Sequence, residues 1–345
     1  MSDGGEGEPR IALSFEGVSR HFPKSSAPAL DGVDLSIIDG EVLSLIGSSG
    51  SGKTTLLRIA AGLDWPDSGR VCIDGECVSD GENANTRVPP ERRRLGLVSQ
   101  EGALFPHLSV ERNISYGLHR LGRGEARKRI HDCLYLVDLK GKEDRFPHEL
   151  SGGERQRLAL ARALAPQPRI LLFDEPFSHL DPPLRRSLRE EIRRILIDLK
   201  QTALLVTHDP EDALAISQRI AVMGEGRLLQ IGEPDEVYRF PVSRYCAERF
   251  GPVNATVDAT SGETVWKRPE EARWLDTDSV AEGTPVTVES VAPLGQLWEV
   301  RVRLDEAIPE SSWLCLLGGG EIPCPGDRGK IAWDEKAETG SRIRK

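Results

Sequence analysis

Nowhere does this 345-residue sequence string together the ~18 to 20 apolar residues that a membrane-spanning helix requires, although 38% of its residues are hydrophobic. The chain itself is therefore expected to be soluble. Its first ten residues, MSDGGEGEPR, lack the basic patch and apolar run of a secretory signal. Glycines and acids stand there instead, which predicts a short disordered tail over residues 1–10 and a cytoplasmic chain. Cysteine is sparse: six are scattered at 72, 77, 133, 246, 315 and 324, without CxxC spacing. Neither a zinc site nor a redox motif is suggested, and reduced structural thiols are expected. An excess of basic charge is missing too. The formal net charge is -10, and the runs Arg92-Arg93-Arg94 and Arg185-Arg186 are short and close to acidic residues, as on solvated helix faces. Nucleic acid is disfavoured as a partner.

What is present is enough chain for one large and one small domain, since a single core rarely grows beyond ~250 to 300 residues. Alternating apolar and polar residues over 11–38 (Ile11, Leu13, Phe15, then Leu35, Ile37) predict antiparallel strands with one solvated face. From Glu41 to Ile46 an apolar run ends in a glycine-rich turn, and helical spacing resumes from Thr55 to Ala61. A mostly helical segment is predicted over Ser109–Leu150. Helix, strand, helix, strand and helix then alternate from Glu154 to Ile216, the pattern of parallel α/β layers. After Phe250 short strands with glycine turns (286–291, 298–304, 313–317 and 330–333) predict a small β-barrel.

The sharpest motif is Gly47-Ser48-Ser49-Gly50-Ser51-Gly52-Lys53-Thr54-Thr55, placed between a predicted strand and a predicted helix. Glycines let backbone N–H groups wrap phosphates, and the helix N-terminus adds positive potential. Lys53 is expected to reach the β- and γ-phosphates of ATP and Thr54 to ligate Mg²⁺. A flexible Gly/Ser linker would leave both the Lys-Thr ending and the flanking apolar strand unexplained. Downstream, Ile170-Leu-Leu-Phe-Asp174-Glu175-Pro176 is a buried strand that delivers two carboxylates at its carboxyl end. With a P-loop upstream it reads as a Walker B, in which Asp174 holds Mg²⁺ through water and Glu175 polarises the attacking water. Between them, Leu150-Ser151-Gly152-Gly153-Glu154 opens a helix with a hydroxyl and two glycine amides in its first turn, a second candidate anion site.

Here the sequence resembles the ABC ATPase family, whose signature is Leu-Ser-Gly-Gly-Gln; Glu154 stands where Gln is usual. The resemblance covers about residues 11–240 in six ordered motifs. It implies that Gln100 is the Q-loop glutamine touching Mg²⁺ and water, and that His208, in Leu205-Val-Thr-His-Asp, is the γ-phosphate-sensing switch. Ser178-His179-Leu180-Asp181 fits the D-loop. Phe22 fits the aromatic that stacks on adenine, with His21 as the competing candidate. The implied fold is an α/β P-loop ABC cassette over 11–240, with a mixed sheet core, an antiparallel β subdomain and a helical subdomain at about 101–165. A small β-rich OB-like (TOBE) regulatory domain over 241–345 is implied to follow.

The resemblance further implies a head-to-tail homodimer, with each ATP held between Gly47–Thr55 of one copy and Ser151–Glu154 of the other. Transmembrane permease subunits would convert closure and reopening into alternating access at the cytoplasmic face of the membrane. A periplasmic or extracellular solute-binding protein would act indirectly. Residues 100–118, with Leu104, Phe105 and Leu108 expected exposed, would receive the permease. Ferric-iron importers look closest, on Ser99–Leu108, Arg112–Leu118 and Phe146–Leu150; polyamine, sulfate, thiamine and sugar importers share much of this. ABC ATPases of DNA repair are disfavoured, because about a hundred residues without sustained heptads separate Thr55 from Ser151. Ribosome-acting members usually carry two cassettes in one chain, and the β-rich tail argues against an exporter.

Overall fold

The computed structural model describes residues 9–23, 25–100, 103–178, 180–257, 264–305, 312–318 and 322–333. The tail expected over 1–10 therefore lies largely outside the described residues, as does His179. The chain divides into two compact units, Met1–Pro234 and Asp235–Lys345.

In the first unit, β1 (Ile11–Arg20), β2 (Leu30–Ile38), β4 (Ser68–Ile73) and β5 (Glu76–Asp80) form an antiparallel sheet ordered β2-β1-β4-β5. The second sheet, ordered β10-β9-β3-β8-β7-β6, contains β3 (Val42–Gly47), β6 (Leu95–Val98), β7 (Ile170–Asp174), β8 (Thr202–Thr207), β9 (Arg219–Gly224) and β10 (Arg227–Gly232). Its strands run parallel except β10, which returns antiparallel to β9. Helices α1 (Lys53–Ala61), α2 (Val110–Ser115), α3 (Arg123–Leu136), α4 (Gly152–Leu164), α5 (Pro182–Asp198) and α6 (Pro210–Ile216) complete the unit.

The near-continuous apolar runs of β3, β7 and β8 are explained by burial on both faces. Along β7, Leu171 and Phe173 join one core with Leu158, Leu188 and Ile192 of α4 and α5, while Ile170 and Leu172 join another with Leu56 and Ile59 of α1. That alternation is the period-two pleat of a strand covered above and below. Because the parallel strands are in register, with Ile46 beside Thr207 and Val206 beside Asp174, their carboxyl ends share one edge of the sheet.

Two expectations need correction. Segment 109–150 is less helical than its spacing suggests: beyond α2 and α3 it holds only single 3₁₀ turns, at Tyr116–Leu118 and Pro147–Glu149. Left-handed backbone at Asp138 and Gly141 and the proline at 147 prevent continuation. Leu104, Phe105 and Leu108 are half-buried, not exposed. Asn113, fully buried, accepts from Phe105 N–H and donates to the carbonyls of Phe105, Leu108 and Ser109, drawing the loop inward. The Phe105 ring packs on Tyr116, which is exposed, and lies under Arg162.

In the second unit, α7 (Pro234–Arg239) and α8 (Arg244–Glu248) precede the hairpin of β11 (Asn254–Val257) and β12 (Thr264–Lys267). Five antiparallel strands follow: β13 (Ala272–Asp276), β14 (Thr284–Leu294), β15 (Leu297–Leu304), β16 (Ser312–Leu317) and β17 (Arg328–Trp333), in the order β13-β17-β14-β15-β16. Their inner faces enclose a small core of Val286, Val288, Val300, Val302, Trp313 and Ile331, and β13 and β16 also pack on each other. Arg268 is buried beneath Tyr238 and donates to the carbonyls of Tyr238 and Ala247, tying α7 and α8 to the strands.

Candidate functional site

The loop after β3 needs its glycines for two different reasons. A Cβ at Gly47 would meet Met223 O at 2.3 Å and Ser51 Oγ at 2.6 Å, and one at Gly52 would meet Ala29 O at 2.3 Å. Gly50 has open space around it, but its φ of 80° lies in the left-handed region. Lys53 opens α1 and is buried; its Nζ donates to Gly47 O at 2.9 Å and Ser48 O at 2.8 Å. The loop's own carbonyls thus cage the cation. Thr54 is exposed, and its side chain hydrogen-bonds to Asp174.

Asp174 ends β7 at the carboxyl edge of the sheet. Burial raises its pKa above the ordinary aspartate range, the Glu175 charge adds to this, and Arg58, Lys53 and Thr54 oppose it. Glu175 follows with φ 48°, a left-handed backbone that a β-carbon disfavours. Its N–H donates to Val206 O at 2.9 Å, which fixes the turn to β8. His208 stands one residue beyond β8, with Nδ1 3.0 Å from Glu175 Oε2, within hydrogen-bond distance. Gln100 lies two residues past β6, and its carbonyl accepts from Gln156 Nε2 at 3.3 Å. Sheet order therefore brings residues from 47 to 208 to one edge. The hydroxyl, carboxylate and amide oxygens of Thr54, Asp174 and Gln100 are hard donors of the kind that suits Mg²⁺.

Ser151 caps α4 in a reciprocal box: its Oγ accepts from Glu154 N–H at 3.3 Å, and Glu154 Oε2 accepts from Ser151 N–H at 2.7 Å. Lys142 also bonds the Glu154 carboxylate, and these contacts, Lys142 first, lower its pKa to about 2. Gly153 packs against Leu184 of α5, where a Cβ would come within 2.8 Å of Leu184 Cδ1. From the Gln156 contact with Gln100, α4 extends back about 7 Å to Ser151 at 1.5 Å per residue. Asp181 is the N-cap of α5, accepting from Leu184 N–H at 3.0 Å. Phe22 follows β1 and carries the Arg20 guanidinium 4.8 Å from its ring centroid, while His21 N–H donates to Asp67. The loop holding Phe22 returns to Ala29, the residue against Gly52. A groove of about 950 Å³ lined by residues of α3, α4 and α5, among them Tyr135, Arg157 and Glu191, contains none of these candidates. Sequence reading missed Gln156, whose polar side chain on an apolar helix face was the available signal.

Residues 30–178 match the family model described as ABC transporter. The chain is 42% identical over 315 residues to the sulfate/thiosulfate import ATP-binding protein CysA of Mycolicibacterium paratuberculosis, covering 89% of this chain and 84% of the relative. It is 44% identical over 315 residues to the Fe(3+) ions import ATP-binding protein FbpC of Photorhabdus laumondii, covering 84% and 86%. It is 40% identical over 283 residues to the spermidine/putrescine import ATP-binding protein PotA of Nitratidesulfovibrio vulgaris, covering 81% and 72%. A dimeric post-hydrolysis structure of the ATP-binding cassette MJ0796, bound to ADP and Pi, superposes with TM-score 0.56 at 30% identity, covering 64% of this chain and 98% of that one. Glycine loop, paired carboxylates and following histidine meet at one sheet edge, and these relatives match across both units; the chain belongs to the ABC transporter family, among its ATP-hydrolysing import ATP-binding proteins.

Proposed function

We propose that this chain powers solute uptake as a homodimer that sandwiches two ATP molecules and drives transmembrane permease subunits at the cytoplasmic face of the membrane. The observation that carries the chemistry is the Glu175–His208 contact at 3.0 Å beside Asp174 and Thr54. Backbone amides of Gly47–Thr55 and Lys53 bind the phosphates; on ATP arrival Lys53 exchanges its loop carbonyls for phosphate oxygens. Thr54, Asp174 and Gln100 would hold Mg²⁺, and neutralisation of phosphate charge is what the ion contributes when bound there. Glu175 accepts a proton from the attacking water, while His208 holds the Glu175 carboxylate and senses the γ-phosphate. Ser151, Gly152 and Gly153 reach the ATP of the other copy, with Asp181 at the same interface; the dimeric MJ0796 cassette supports this arrangement. Phe22 stacks on adenine.

The loop around Leu104–Leu108, tied down by Asn113, is the permease contact, and an extracytoplasmic solute-binding protein acts through the permease. The second unit is a regulatory OB-like (TOBE) domain, supported by its five-stranded antiparallel sheet. The solute is ferric iron on the strength of Ser99–Leu108 and Phe146–Leu150. Sulfate and polyamine are the alternatives, named by relatives of similar identity. Uptake of labelled ferric iron, sulfate and spermidine by cells lacking the gene separates the three.

The chemical reading is tested by Glu175→Gln. The amide fills the same space but cannot take the proton, so ATP binding is retained, turnover falls by roughly 10² to 10⁴-fold, and an ATP-bound dimer accumulates. Full ATPase activity in this variant would remove Glu175 from its role.

A further inference from the structure

The turn that carries His208 is held from α5 by side chains on both sides of the histidine. Arg189 and Asp212 are 8% and 1% exposed. Arg189 Nε donates to Asp212 Oδ1 at 3.0 Å, and its Nη2 lies 2.8 Å from the same oxygen. The other carboxylate oxygen, Oδ2, accepts from Thr207 Oγ1 at 3.2 Å, and that hydroxyl oxygen accepts from Asp209 N–H at 3.0 Å. One turn earlier on α5, Arg185 pairs with Asp209, and its Nε donates to Phe177 O at 3.2 Å. His208 is thus flanked by two residues locked to α5, and the same helix grips a carbonyl two residues after Glu175. Stability alone is a poor reason for the pair, because a buried ion pair rarely outperforms apolar residues of similar volume.

We infer that Arg189, acting through Asp212 and Thr207, is a positioning residue for ATP hydrolysis that aligns His208 on Glu175. The inference rests on reading Glu175 and His208 as the hydrolytic pair. Since Asp181 caps the same helix, displacement of the D-loop would reach the switch histidine through α5.

The test uses the 345-residue chain carrying Arg189→Met with Asp212→Leu, which replaces both charges by apolar groups and leaves none buried alone. The double variant is expected to fold with an unchanged or higher Tm. Its KM and nucleotide affinity should stay within twofold of wild type, while kcat falls at least tenfold. The imidazole ¹⁵N resonance of His208, assigned by its loss in His208→Ala, should shift toward that of a solvated ring. Thr207→Val leaves the ion pair intact and cuts only the link, so it should lower kcat at nearly constant Tm, and it serves if the double variant does not fold. Wild-type kcat and an unmoved His208 resonance in a folded variant overturn the inference while leaving the site reading intact. Wild-type turnover in His208→Ala overturns the site reading, and the inference with it.

Discussion

Glu175 presents its carboxylate to His208 Nδ1 at 3.0 Å from a backbone turned into the left-handed region, φ 48°. A residue with a β-carbon loses about 1 kcal/mol or more there, and asparagine tolerates that conformation better than most. Glu175→Asn should therefore raise Tm by roughly 2 to 4 °C while abolishing steady-state hydrolysis. Calorimetry beside a phosphate-release assay checks both halves, and a lower Tm would show that the turn is relaxed as built.

The two kinds of glycine in the phosphate loop should separate on mutation. Gly52→Ala drives a Cβ to 2.3 Å from Ala29 O, so folding and nucleotide affinity should both suffer, the latter by more than about tenfold. Gly50→Ala meets nothing within 4 Å and should cost only the conformational term, about 1 to 2 kcal/mol. Comparing denaturation midpoints and nucleotide titrations of the two variants checks this ordering.

Asp174 carries a stability penalty that the chemistry requires. Burial holds its folded pKa above the unfolded value, so the penalty is absent below the unfolded pKa, about 3.9, and sets in as pH rises through it. Asp174→Asn should accordingly raise Tm at pH 7, with the advantage shrinking as pH falls toward 4. Turnover should drop by roughly 10²-fold or more. A Tm difference that grows on acidification would reverse the sign of this assignment.

At the start of α4 the sign is opposite. Lys142 and the Ser151 amide hold Glu154 at about 2, below its unfolded value, so the stabilisation is present above the ordinary glutamate range, about 4.3, and is lost as pH falls through about 2. Glu154→Gln should reduce the acid sensitivity of Tm in that window. Because glutamine still completes the capping box, its ATPase rate at pH 7 should stay within about twofold of wild type. A large loss would give the Glu154 charge a part in turnover.

The composite site is tested by binding. Ser151→Arg should leave monomers with near wild-type ATP affinity that fail to dimerise, whereas Lys53→Ala weakens phosphate binding directly. Equal affinity losses in the two monomers, measured by titration at concentrations below dimerisation, would place Ser151 in its own chain's pocket.

By itself the sequence determined the family and most of the strands and helices, because glycine-loop chemistry, fully apolar strands and amphipathic helices are local patterns. The run from Ile170 announced a buried strand, and the structure packs its alternate residues, and those of β8, into two cores. Strands β4, β5 and β10 were less visible: they are short and half-solvated, and they pair by register more than by apolar pattern. The candidate residues could be named from motifs, but their meeting was decided by sheet order, which sets the ends of β3, β6, β7 and β8 side by side across more than a hundred residues of chain. Only the tertiary structure could show Arg189 on Asp212, Gln156 on Gln100, or Asn113 drawing in the loop at Phe105. The Arg189 and Gln156 contacts join residues distant in sequence, and a single polar side chain on a helix gives no periodic sign of which neighbour it will meet; its partner is chosen when the helices dock on the sheet.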